Sequence, residues 1–163
     1  MLKKLFMLIV AGFFLASCAA TKTEQGGDVD AASASTSSSS GGEITAGTQE
    51  DLIVNVGDRV FFEFDSSELT VDAQATLDAQ AAWLMQYPDT NITVEGHADE
   101  RGTREYNLAL GDKRAFSVYS YLAQAGIDTN RMEYVSWGKE RPEVIGSDET
   151  AYSQNRRGVT LVS

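Results

Sequence analysis

The chain has 163 residues, with 24 Asp and Glu against 13 Lys and Arg, for a formal net charge of −11. That balance excludes non-specific nucleic-acid binding, which relies on Lys and Arg against phosphate, and opposes contact with anionic lipid surfaces. A single cysteine rules out an intramolecular disulfide, and with a single histidine it leaves too few ligands for an ordinary catalytic zinc site.

In chain order, Lys3 and Lys4 come first, followed by an apolar run from Leu5 to Ala16. A basic end followed by a short apolar stretch is the pattern of a secretory signal peptide. The run falls well short of the roughly 20 residues that a spanning helix needs. Leu15-Ala16-Ser17-Cys18 closes it, with the small residues that a signal peptidase requires before its cut. Those four residues resemble the bacterial lipobox, which implies cleavage before Cys18 and attachment there of an S-diacylglycerol and an N-acyl chain. Each buried CH₂ contributes about 0.8 kcal/mol, so two or more chains anchor firmly. Ala19 follows, and the absence of Asp there resembles an outer-membrane address. Loss of residues 1–17 removes Lys3 and Lys4 and takes the net charge from −11 to −13. No other cofactor is expected.

Residues 18–51 read as the lipidated N-terminus and a flexible linker. Ala31 to Gly42 holds only Ala, Ser, Thr and Gly, too little apolar surface to offset the entropy of ordering. As a coil, about 33 residues reach roughly 30 Å on average, and on the order of 110 Å fully extended.

Residues 52–163 suit one small domain. Val60, Phe62 and Phe64 alternate with Phe61, Glu63 and Asp65, predicting a strand over 58–65. Thr70 caps a helix in which Ala73, Leu77, Ala81 and Leu84 share a face, and Pro88 ends it. Ile92 and Val94 mark a second strand ending at Gly96. A second helix carries Leu108, Gly111, Ala115, Val118 and Leu122 on one face and closes near Gly126. Residues 132–137 and 157–162 are two more strands, and 148–155 has room for a helical turn. The expected class is α/β (α+β), order βαβαββ, with helices packed as one layer on a mixed four-stranded sheet and strands joined by helices lying parallel as neighbours.

The densest run of functional residue types is Gly96-His97-Ala98-Asp99-Glu100-Arg101-Gly102-Thr103, between the second strand and the second helix. Loops at the carboxyl ends of strands in open α/β sheets are where ligands tend to sit. Arg114 follows on the helix, at the edge of its apolar stripe. Two readings stand side by side here. Asp99 and Arg114 pair with each other or lie solvated, or they bind a zwitterion, Asp99 taking an ammonium and Arg114 a carboxylate through two parallel hydrogen bonds.

A resemblance bears on that choice. Val94-Glu95-Gly96-His97-Ala98-Asp99-Glu100-Arg101-Gly102-Thr103, then Glu105-Tyr106-Asn107, is similar to the OmpA-like family of peptidoglycan-binding domains. The similarity continues through Phe62-Glu63-Phe64-Asp65, Leu110-Gly111, Arg114-Ala115, Ser136-Trp137-Gly138-Lys139-Glu140-Arg141-Pro142 and Asn155-Arg156-Arg157. It implies a ligand, the diaminopimelate residue of the peptidoglycan stem peptide, whose side chain ends in an ammonium and a carboxylate. The family's acidic contact falls on Asp99 and its basic contact on Arg114. Asn107 and Leu108 fall on the helix start that shapes the pocket, and Phe64 and Asp65 on the neighbouring strand end. The resemblance also implies partners, TolB and other Tol proteins, and a periplasm-facing place in envelope integrity and cell division. Arg104, Asp112-Lys113 and Trp137 depart from the family's usual residues.

Other readings are weaker. The alternative function is an envelope lipoprotein acting mainly as a protein-interaction module. An enzyme built on His97 lacks partners of the right type, and the loop lacks the ligand spacing of a calcium loop. His97 reads instead as a loop-ordering residue bonded to nearby backbone. Asn155-Arg156-Arg157 reads as pairing with carboxylates, and Gly138-Lys139-Glu140-Arg141-Pro142 as a turn and not a phosphate loop.

Overall fold

A computed structural model describes residues 44–163. Cys18, the leader and most of the linker lie outside those residues. Four helices pack on a mixed, open four-stranded sheet. The elements are α1 (Gln49–Asn55), β1 (Arg59–Phe61), α2 (Val71–Gln86), β2 (Ile92–His97), α3 (Arg104–Gln124), a 3₁₀ turn (Thr129–Arg131), β3 (Met132–Gly138), α4 (Glu149–Asn155) and β4 (Arg157–Val162).

The sheet order is β1-β4-β2-β3, with β2 and β3 parallel and β4 antiparallel to both β1 and β2. The expectation of parallel neighbours therefore holds for β2 and β3 only. Between β1 and β2 the last strand inserts, pairing Val60 with Gly158 on one side and Gly96 with Gly158 on the other. Strand β1 is also shorter than the alternation over 58–65 implied. Its final ladder bond runs from Phe62 N to Arg156 O (2.9 Å), after which the chain turns and Asp65 takes a left-handed φ of 55°.

Register sorts the core. Val60, Ile92, Val94 and Met132 face the helices and are buried, against Ala73, Leu77, Ala81 and Leu84 of α2 and Ala115, Val118 and Leu122 of α3. Leu108 is the exception to the expected stripe, being 43% exposed. It lies just past the first turn of α3, where the helix crosses the end of β3 and the Leu108 backbone meets Gly138.

The linker boundary at residue 51 requires correction, because α1 begins at Gln49. Thr48 caps it, accepting from Asp51 N, and Leu52 is fully buried. Asp51 accepts from Gly47 N (2.8 Å), Asn55 Nδ2 (2.7 Å) and the indole of Trp83 (2.9 Å). Gln49 bonds Val162 N and Thr160 O, continuing along β4 beyond the start of β1. The signal was present in Thr48-Gln49-Glu50-Asp51 before Leu52-Ile53-Val54, a cap followed by an acid three residues on.

Helix α3 comes down onto β2 at two glycines. A Cβ on Gly96 would lie 1.8 Å from Gly111 O, and one on Gly111 would lie 2.4 Å from Ser136 Oγ. Backbone cannot yield at a contact of that kind as a flexible side chain can. Gly96→Ala is therefore expected to destabilise the domain by at least about 3 kcal/mol in chemical denaturation; a change within experimental error would show that α3 can lift off the sheet.

Candidate functional site

The loop between β2 and α3 is held from several directions. Thr103 caps α3, accepting from Tyr106 N (3.2 Å). Asn107, buried in the first turn, donates to Arg101 O (2.7 Å). Lys139, from the turn after β3, donates to Glu100 O and Gly102 O (3.1 and 2.7 Å). These bonds pin the backbone of the loop that carries Asp99.

Beside it lies a cleft of about 200 Å³ lined by Phe64, Asp65, Asp99, Arg101, Gly102, Tyr106, Asn107, Leu110 and Arg114. Five of the residues expected at the site thus converge there: Asp99, Arg114, Asn107, Phe64 and Asp65. Leu108 does not, because α3 turns residues 106, 107, 110 and 114 toward the cleft, at the three- and four-residue spacing of an α-helix, and Leu108 is not among them. That same spacing could have identified Leu110. Arg101 and Tyr106 stood inside the motif without an assigned role, and Arg156 reaches the site only because β4 lies beside β2.

Asp99 and Arg114 do not pair with each other, nor are they solvated. Arg114 is completely buried. It donates from Nε to Ser66 O (2.8 Å), from Nη1 to His97 O (2.9 Å) and from Nη2 to Glu63 O (3.2 Å), and its guanidinium lies 5.2 Å from the centroid of the Phe62 ring. Three of its five N–H groups are used in this way, leaving one on each Nη. Burial, then the neighbouring charge of Arg156, pushes its pKa down to about 10, with Asp99 and Asp65 opposing. It remains a cation at neutral pH.

Asp99 is 5% exposed. It accepts from Arg101 N (3.1 Å), Arg101 Nε (3.2 Å), Arg101 Nη2 (2.6 Å) and Arg156 Nη1 (3.5 Å). Burial pulls its pKa upward, but the bonds and charge of Arg101, with the bond from Arg156, together outweigh it and hold the carboxyl below its ordinary value. Arg156 is fixed in turn by Phe62 O (3.0 Å) and Glu149 (2.7 Å), while Arg157 reaches Glu143 (3.4 Å). On the opposite wall, Asp65 accepts from the Tyr106 hydroxyl, raising the phenol's pKa.

A larger cavity, about 620 Å³, runs along β1 between α2 and α4. It brings together no comparable pairing of a buried acid with a buried base, so the chemistry favours the smaller cleft. Among the described residues no three His, Cys, Asp or Glu side chains converge as metal ligands, and no helix is long and apolar enough to cross a membrane.

The OmpA family pattern matches residues 61–156, which span both walls of the cleft. The chain belongs to the OmpA family. Within it, the chain is 50% identical over 154 residues to the peptidoglycan-associated lipoprotein of Rhizobium meliloti (strain 1021), covering 94% of this chain and 84% of that one. It is 55% identical over 122 residues to the peptidoglycan-associated lipoprotein of Brucella melitensis, covering 75% and 73%. The crystal structure of the Burkholderia pseudomallei peptidoglycan-associated lipoprotein superposes with a TM-score of 0.63 at 43% identity, covering 65% of this chain and 90% of that one.

Behind this OmpA-family cleft, His97 is buried at the end of β2. Its Nε2 meets the carboxylate of Glu95 (3.3 Å), which also accepts from the indole of Trp137 (2.8 Å). Arg141 stacks on that indole at 3.3 Å, and Arg104 pairs with Glu140 (3.1 Å), so two of the departures from the family pattern have local partners. Burial, followed by the charge of Arg157, lowers the His97 pKa from 6.5 to about 4 against the pull of Glu95. A base whose pKa falls on folding stabilises the native state fully above its unfolded value and loses that contribution as pH falls. His97 therefore favours folding above pH 6.5, progressively less down to about pH 4, and no differently below. His97→Gln should flatten the decline of the unfolding temperature between pH 6.5 and 4; an unchanged slope would assign the acid sensitivity to other groups.

Proposed function

We propose that this protein is an outer-membrane lipoprotein that binds peptidoglycan without a covalent bond and ties the membrane to the wall. In this reading Cys18 carries the lipid, the folded domain faces the periplasm, and the cleft receives the diaminopimelate side chain of a stem peptide. Asp99 takes the ammonium. Arg114 takes the carboxylate through the N–H left on each Nη. The observation that carries the reading is the convergence, in a cleft of side-chain size, of a buried carboxylate and a buried guanidinium held by different elements. The family and the names of the relatives point the same way.

The chemistry asked of the site is binding. A charged ligand group meeting a desolvated partner of opposite sign gains more than it would in water, and nothing in this scheme needs a bond to break. The Tol system, with TolB as direct partner, is the proposed protein context, serving envelope integrity and cell division. A TolB surface overlapping the cleft would make wall and TolB alternatives.

Arg114→Ala is a poor probe of binding, because its guanidinium also holds three backbone carbonyls. Asp99→Asn keeps the shape of the side chain. In sedimentation of the intact protein with purified sacculi, Asp99→Asn is expected to lower retention at least about tenfold, with no muropeptides released by either form. Cys18→Ser should retain sacculus binding and lose membrane partition. Wild-type retention by Asp99→Asn would remove Asp99 from the clamp. A diaminopimelate-containing stem peptide is expected to displace TolB in a competition assay; simultaneous binding would place the two on separate surfaces.

A further inference from the structure

Arg101 occupies the place that the proposed ligand needs. A carboxylate offers roughly four lone-pair sites, and all are taken on Asp99: three by the main chain and guanidinium of Arg101 and one by Arg156. At 5% exposure there is no free side from which an ammonium could add as a further donor. Arg156 cannot step aside, since Phe62 O and Glu149 hold it. The side chain of Arg101 is 35% exposed and can move.

It also has somewhere to go. Its guanidinium lies between two rings, 4.3 Å from the centroid of Phe64 and 4.2 Å from that of Tyr152. Beyond them its Nη1 is already 3.6 Å from Glu149 Oε2, a carboxylate 64% exposed. Sliding along the rings toward Glu149 would exchange one carboxylate partner for another while keeping the cation–π contacts.

We propose that Arg101 is a built-in competitor for the ammonium subsite, bound to Asp99 in the free domain and displaced onto Glu149 when a ligand ammonium enters. The proposal rests on the diaminopimelate reading above. Displacement costs the same for any ammonium, so Arg101 sets how tightly the cleft binds and not which amine it prefers. Choice between diaminopimelate and lysine is left to Arg114, which meets a carboxylate on the first and nothing on the second.

Calorimetric titration of the intact protein with synthetic stem peptides, one carrying meso-diaminopimelate and one lysine, tests this. Arg101→Met keeps the length and apolar stem and removes the competing charge. It should tighten both peptides by a common factor, on the order of tenfold for a charge-assisted pair partly screened by solvent. Glu149→Gln, which removes the second berth, should weaken both. In wild type, the NMR resonance of Arg101 Nε–H should shift when the diaminopimelate peptide saturates the site. Equal or weaker binding by Arg101→Met, or an unmoved Arg101 resonance at saturation, overturns the competitor and leaves the clamp standing. Failure of the diaminopimelate peptide to bind either protein overturns the clamp and the competitor together.

Discussion

The guanidinium of Arg114 lies entirely out of water, and taking a cation from water costs several kcal/mol unless the interior supplies close partners. Here the partners are main-chain carbonyls from two separated stretches of chain, Glu63 and Ser66 after β1 and His97 at the end of β2. Because β1 and β2 are not neighbours in the sheet, this one side chain ties the loop that follows β1 to the exit of β2. The cleft is the space between those segments and the first turns of α3. Its walls exist where they do because a buried charge holds them.

The remaining electrostatics follow from that commitment. A fixed cation at the base of the cleft, with Arg156 beside it, requires a counter-charge, and Asp99 supplies it while staying ionised below its ordinary range. Lys139 and Asn107 hold the backbone that carries Asp99. The cleft is therefore arranged in the free domain, which would lower the ordering cost of binding the proposed ligand. The single charged group at the acid that retains freedom is Arg101, and that contrast makes it the natural element to adjust affinity.

Much of the domain was legible because its signals are local. The spacing of Ala73, Leu77, Ala81 and Leu84 located α2 and its buried face, and the alternation around Ile92 and Val94 located β2. The Gly96 to Thr103 run identified the loop at the strand end. Two readings failed, one through what stands opposite a residue and one through the composition of the neighbouring chain. Leu108 has the right helical phase for the core but lies where α3 crosses the end of β3, and α1 has a capping signal that the polar tract before it obscured.

What the sequence determined by itself is the order and type of most elements, the acidic character of the chain, and the loop beside the cleft with the residue types it carries. Those features rest on periodicity, composition and turn chemistry, all read within a few residues. Tertiary structure alone decided that β4 enters between β1 and β2, which brings Arg156 to Asp99. It also decided that Arg114 spends most of its donors on carbonyls, and that Asp99 is already saturated by Arg101. Partners such as these lie up to 57 residues apart along the chain, and hydrogen-bond geometry selects among donors and acceptors that sequence spacing leaves equivalent.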